Sequence, residues 1–153
     1  MTVKEIFGFK FDDELYYNEH VWLRVEADGN VRVGFDDIIA RGSVKIFMIK
    51  LLSNGSVVEQ RKKVGALESI KYTGPIVSPV SGTIVAGNVD VKAKGAEAFK
   101  DDPYGKGWLV VIKPSKLETE LKNLLSGQAA LDWFTAEAEK SKDDIAGGEY
   151  KGM

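Results

Sequence analysis

The chain of 153 residues contains no cysteine and a single histidine, His20. Without thiols there is no disulfide, no thiolate metal site and no cysteine nucleophile. One imidazole cannot build a multi-histidine metal centre, so thiol or redox chemistry must be brought in by an attached group. A basic excess is also missing: 21 Lys and Arg stand against 23 Asp and Glu, a formal net charge of -2. That balance leaves no footprint for a phosphate backbone and argues against nucleic acid as a partner. No apolar run approaches the roughly 20 residues that cross a bilayer. Residues 1–10 also lack an apolar stretch of signal-peptide length, and the expectation is a cytoplasmic protein without a membrane partner.

A catalytic set is missing too. Asp36-Asp37, Asp101-Asp102 and Asp143-Asp144 are adjacent carboxylates, an arrangement that suits helix caps and turns rather than acid/base work. Gly105-Lys106-Gly107 has neither the full glycine fingerprint nor the strand-to-helix setting of a phosphate cradle, and reads as a tight turn. His20, next to Trp22 on an expected strand, reads as a packed or hydrogen-bonded residue. No catalytic residue and no metal ligand is assigned.

What is present is an ordinary globular composition, 44% apolar and 29% charged, in a length that suits one domain with tails. Phe7, Phe9 and Phe11 recur at spacing two, and Ile6–Phe11 is read as an edge strand. His20–Glu26 and Val31–Phe35, split by Ala27-Asp28-Gly29-Asn30, form an expected hairpin. Asp36–Ala40 reads as one helical turn. Strands are then expected at Val44–Leu52, Val57–Glu59, Val64–Ser69, Ile76–Ser78, Thr83–Asn88 and Trp108–Ile112. Many short strands broken by glycine-rich turns indicate a barrel or sandwich.

After Pro114 the period changes. Ser115-Lys116-Leu117-Glu118 reads as a capping box, Leu117, Leu121, Leu124 and Leu125 as one helical face, and Gly127 as the stop. A second helix is expected over Ala129–Lys140, carrying Leu131, Trp133 and Phe134. The expected organisation is a β domain over 1–114, a helical segment over 115–140 packing on it, and a flexible tail over 141–153.

The stretch that carries chemistry runs from Val64 to Val85, two apolar arms around a short polar centre: the first arm alternates until Ile70 and the second resumes at Ile76. Gly74-Pro75 is read as unable to continue a regular ladder, because proline has no N–H. Lys71 is therefore expected near the bend and open to a modifying enzyme.

Glu68-Ser69-Ile70-Lys71 followed by Ser78-Pro79-Val80-Ser81-Gly82-Thr83-Ile84-Val85 resembles the lipoyl segment of the glycine cleavage H-protein family. His20-Val21-Trp22-Leu23-Arg24-Val25-Glu26, Val33-Gly34 and Asp101-Asp102-Pro103-Tyr104-Gly105-Lys106-Gly107-Trp108 resemble segments of that family in the same order, so the likeness spans roughly residues 15 to 125. The resemblance implies a mainly β fold, a flattened lipoyl/biotinyl-type β-barrel (barrel-sandwich hybrid) with a C-terminal helix or helices. It implies lipoic acid in amide linkage on Lys71, with Glu68 as recognition context, and a carrier rather than an enzyme. Lysine suits the task because its neutral amine forms an amide and its own four-carbon stem lengthens the tether.

Two carboxylates usual in the family are missing: Val21 stands where H-proteins carry Glu, and Pro75 where they carry Asp four residues after the lipoyl lysine. Arg41-Gly42-Ser43 and Lys50-Leu51-Leu52-Ser53 replace two further landmarks, and Tyr72 follows the lysine in place of Ala. These departures resemble the lipoate-binding proteins of the heterodisulfide-reductase-like sulfur oxidation pathway, favoured here over the H-protein of glycine cleavage. The implied partners are a lipoate ligase or lipoyl transferase, a dihydrolipoyl dehydrogenase, and a heterodisulfide-reductase-like complex or, in the alternative, the glycine cleavage P and T proteins. A biotin carrier is a remote alternative, since that family places Met on both sides of its lysine where this chain has Ile70 and Tyr72.

Overall fold

The computed structural model describes residues 2–42, 46–69 and 73–143. Within them the order is β1 (Val3–Ile6), β2 (Phe9–Asp12), β3 (Tyr16–Asn18), β4 (Val21–Val25), β5 (Val31–Phe35), α1 (Asp37–Arg41), β6 (Ile46–Leu51), β7 (Val57–Val58), β8 (Lys63–Ser69), β9 (Thr73–Val77), β10 (Gly82–Gly87), α2 (Val89–Lys94), α3 (Ala96–Phe99), β11 (Val110–Pro114), α4 (Leu117–Leu121) and α5 (Gly127–Ser141). A six-stranded antiparallel sheet has the order β3-β4-β5-β11-β10-β7, and a three-stranded one has the order β6-β8-β9. Among the described residues, no helix is long and apolar enough to cross a membrane.

The two sheets face each other because both are written with alternating apolar residues. Val31, Val33, Ile84 and Ile112 from the large sheet pack with Ile46, Ile49, Val64 and Ile76 from the small one. Burying such side chains contributes roughly 1.5–3 kcal/mol each. At the β4–β5 turn, Gly29 has φ 88, and Asp28 Oδ1 accepts from the Asn30 amide at 2.9 Å, so the expected hairpin forms as its residues suggest.

A second, aromatic core lies between β1–β2, α1 and α5. It joins Phe9, Phe11, Tyr17, Trp22, Tyr104 and Phe134, all buried. Phe11 stacks on Tyr17 with centroids 5.3 Å apart and meets Phe134 at 4.9 Å. In α5 the buried residues Ala130, Phe134 and Ala138 recur every four positions, which gives one inward stripe.

Five expectations are corrected. Ile6–Phe11 is not one strand but a hairpin, since Phe7 and Gly8 both take positive φ (50 and 86) and turn the chain. Phe9 and Phe11 are fully buried while Phe7 is 44% exposed, so only two of the three phenylalanines share a buried face. The capping box does not form: Lys116 precedes α4, and no side chain caps it. The leucines do not share one helix, because α4 ends at Leu121 and Leu125 instead pairs by backbone with Tyr17. Gly127 opens α5 rather than stopping a helix. Finally, β9 runs through Pro75, opposite Ala66. A proline is tolerated there because β9 is an edge strand and needs donors on one side only. The strand β3 and helices α2 and α3 had no expectation. Of the expected tail, residues 144–153 lie outside the described residues.

Candidate functional site: the β8–β9 hairpin

Strands β8 and β9 pair antiparallel from Lys63↔Val77 to Glu68↔Thr73. Lys71, with Ile70 and Tyr72, lies outside the described residues. The flanking strands place Glu68 and Thr73 side by side, so residues 70–72 are the link of a hairpin.

Directly opposed residues of a sheet share a face, which sorts this small sheet into rows. Ile49, Leu67 and Gly74 form one inward row; Leu51, Gly65 and Ile76 form the next. Met48, Glu68 and Thr73 form an outward row beside the link, and Lys50, Ala66 and Pro75 form the outward row behind it. Met48, Lys50, Thr73 and Pro75 are exposed, and Ile49, Gly65 and Ile76 are buried, as this sorting requires. Gly65 admits no side chain, since a Cβ would stand 2.4 Å from the Lys50 carbonyl oxygen. β6 and β8 can approach only because that position is glycine.

The far end of the hairpin is anchored by polar groups. Glu120 in α4 is buried and accepts from the Ser81 amide at 2.7 Å and the Ser81 hydroxyl at 2.6 Å. The Ser78 hydroxyl donates to the Val80 carbonyl at 2.7 Å. The Lys63–Val77 end of the hairpin is thus fixed by a satisfied network, while Met48 and Thr73 of the outward row are exposed.

The two departures from the family pattern are not equivalent in space. Pro75 is exposed on the outward face, whereas Val21 is only 6% exposed and belongs to the barrel core with Leu23 and Phe35. His20 serves α5 instead of the hairpin. Its Nδ1 is 2.8 Å from Asp36 Oδ2, its Nε2 is 3.3 Å from Glu137 Oε1, and its ring meets Trp133 at 5.0 Å. Burial pushes its pKa down, but the two carboxylates outweigh burial and hold it above the ordinary value.

Members of the first two acidic pairs hold backbone amides, and Asp144 of the third pair lies outside the described residues. Asp36 caps α1 by accepting from the Ile39 amide at 3.0 Å, and Asp37 accepts from the Lys10 amide at 2.7 Å. Asp102 closes the expected tight turn, with its carboxylate accepting from the Lys106 amide at 2.9 Å. In the same run, Tyr104 donates to the Lys10 carbonyl at 2.6 Å, and Trp22 donates to the Pro103 carbonyl at 3.1 Å. Gly107 leaves room for Phe99, whose Cβ would be 2.3 Å from an added Cβ. This downstream motif holds the aromatic core rather than the hairpin.

The family model of the glycine cleavage H-protein matches residues 14–137 of the chain. The chain belongs to the glycine cleavage H-protein family. Glycine cleavage system H protein 2 of Aquifex aeolicus is 34% identical over 151 residues, covering 97% of this chain and 92% of that one. The probable glycine cleavage system H protein 2 of Saccharolobus solfataricus is 38% identical over 123 residues, covering 78% and 82%. The crystal structure of the H protein from Mycobacterium marinum superposes with a TM-score of 0.63 at 26% identity, covering 83% of this chain and 98% of that one. H-proteins are lipoyl carriers with lipoate covalently attached to a lysine, and lipoic acid is the cofactor of this chain.

An amide-linked lipoate asks the protein for a lysine amine and a reachable link, and the open outward row next to Glu68 and Thr73 fits that demand. Strand register places Lys50 opposite Ala66, with Pro75 on the far side of Ala66. Its strand alternation was visible in the sequence, but its neighbours were not.

Proposed function

We propose that the chain is a non-catalytic carrier whose lipoate is attached to Lys71, and that the loaded arm serves cytoplasmic sulfur oxidation in a heterodisulfide-reductase-like system. The observation that carries the attachment site is the register Glu68↔Thr73, which leaves Lys71 in the link between paired strands. Glu68, on the outward row, stands where a lipoate ligase or lipoyl transferase meets the hairpin. When attached, the dithiolane supplies a disulfide that thiolates can open and that a dihydrolipoyl dehydrogenase restores.

The pathway assignment is supported by Pro75 and Val21. An aminomethyl group is cationic when protonated and gains from a fixed carboxylate; a proline on the outward face and a valine in the core offer none. A neutral or sulfur-bonded group suffers no such loss. Aquifex aeolicus has relatives numbered 2, 3 and 4, and several H-proteins in one organism leave room for specialised copies. The second reading is shuttling of the aminomethyl group between the P and T proteins of glycine cleavage, and the relatives' names favour it.

Peptide mass spectrometry of protein co-expressed with its ligase tests the attachment: the adduct is expected on Lys71, and an adduct on Lys62, Lys63 or another lysine overturns it. For the pathway, a deletion strain should lose thiosulfate oxidation and regain it with the wild-type gene but not with Lys71→Ala. A strain that oxidises thiosulfate normally but fails in glycine cleavage would establish the second reading.

A further inference from the structure

A cleft of about 500 Å³ opens between the end of β2, the paired strands β3 and β4, and helix α4. None of its lining residues belongs to β6, β8 or β9, so it is separate from the lysine-bearing hairpin. Asp12, Glu14 and Arg24 supply its charge, and Val25, Leu117 and Leu121 supply apolar wall. Leu117 and Leu121 stand four apart on α4 and so share one helix face. Asp12 is the decisive residue. It is fully buried; its Oδ1 accepts from the Glu14 amide at 3.0 Å, and its carbonyl accepts from the Tyr17 hydroxyl at 2.7 Å. Its Oδ2 has no hydrogen-bond partner among the described residues. Arg24 Nη2 stands 3.9 Å from that oxygen, beyond hydrogen-bond reach. The same nitrogen donates to the Tyr104 carbonyl at 2.6 Å, and the guanidinium lies 5.0 Å from the Trp22 ring centroid. Burial pushes the Asp12 carboxyl above its ordinary pKa, outweighing the Glu14 amide and the Arg24 charge.

We propose that this cleft binds a primary alkylammonium group, with its nitrogen donating to Asp12 Oδ2 and its methylene chain lying against Val25, Leu117 and Leu121. The polarity follows from the lining, since two carboxylates stand against one guanidinium whose Nη2 is already bonded to Tyr104. An ammonium is a compact charge with three donors on one atom, so it can serve a single oxygen and still face Glu14 or water. The torsion of an Asp carboxylate is broad, and a small rotation turns Oδ2 to the ligand while Oδ1 keeps the Glu14 amide. A donor that reaches this depth has left water, which strengthens the charge-assisted bond. The group can arrive as a free amine or as the lysine side chain of a partner protein; the chemistry at Asp12 is the same.

Probes of equal length and different charge test this, read by two-dimensional NMR of the full chain. Titration with n-butylammonium should move the Glu14, Val25 and Leu117 amide signals saturably, n-butanol only weakly, and butyrate not at all. Each added methylene, in pentyl- and hexylammonium, should tighten binding up to about fourfold, the effect of burying one CH₂. Leu121→Ala should flatten that series. Asp12→Asn should weaken n-butylammonium about tenfold or more and leave n-butanol unchanged. Nα-acetyl-lysine methylamide separates the two sources: binding as tight as n-butylammonium assigns the cleft to a partner's lysine, and weaker binding assigns it to a free amine. No saturable shift with any ammonium, equal responses to the three charges, a preference for butyrate, or n-butylammonium binding that survives in folded Asp12→Asn would overturn the proposal. If Asp12→Asn does not fold, the order of ammonium, alcohol and carboxylate on the unaltered chain decides alone.

Discussion

His20 Nε2 lies 3.3 Å from Glu137 Oε1, so the single histidine of the chain ties the strand region before β4 to the C-terminal helix. Its Nδ1 is held by buried Asp36 at 2.8 Å on the other side. Because these carboxylates outweigh burial, the folded protein holds the imidazolium proton more tightly than the unfolded chain does. The resulting stabilisation is complete below the unfolded value of about 6.5 and is lost as pH rises through the higher folded value. The stability gap between wild type and His20→Gln should therefore narrow as pH rises, measured by urea melts over about pH 5 to 9. A gap that widens with pH would contradict the assignment.

Phe134 is fully buried against Phe11 and Tyr17. Phe134→Ala should cost about 3–5 kcal/mol by chemical denaturation. Glu139→Ala, on an exposed position of the same helix, should stay within about 0.5 kcal/mol. Similar losses for both would mean that α5 is not packed as described.

Gly34 lies under Trp22, and an added Cβ would be 2.5 Å from the ring carbon Cζ2. Since the Trp22 indole is also fixed by its bond to the Phe35 carbonyl at 2.8 Å, it cannot simply swing away. Gly34→Ala should destabilise by about 1–3 kcal/mol and shift tryptophan emission to the red.

Restoring the two family carboxylates should have opposite outcomes. Pro75→Asp places a charge on the exposed face and should raise activity of the lipoylated protein in the glycine decarboxylase exchange reaction, with stability nearly unchanged. Val21→Glu places a charge in the barrel core and should cost on the order of 3 kcal/mol. Exchange activity of the unaltered chain equal to an authentic H-protein would remove the case for a sulfur cargo.

Much of the β architecture was legible because strand alternation and Asp-Gly turns are local signals, as at Val31–Phe35 and Asp28-Gly29. The misread segments had signals whose outcome depended on distant partners. Phe7 continues the spacing of Phe9 and Phe11, but the turn at Phe7-Gly8 is set by the docking of Phe9 and Phe11 on Tyr17 and Phe134. The leucines after Pro114 fit a helical period, yet Leu125 is drawn into backbone pairing with Tyr17.

The sequence by itself determined the family, the lysine-bearing hairpin and the lack of protein thiols, because each is a property of residue types in order. Only the tertiary structure decided that Val21 is core while Pro75 is surface, and that Lys50 shares a row with Pro75. Those facts depend on strand register: a slip of one residue would move every side chain to the opposite face. The register is set by packing between sheets that meet across long stretches of chain.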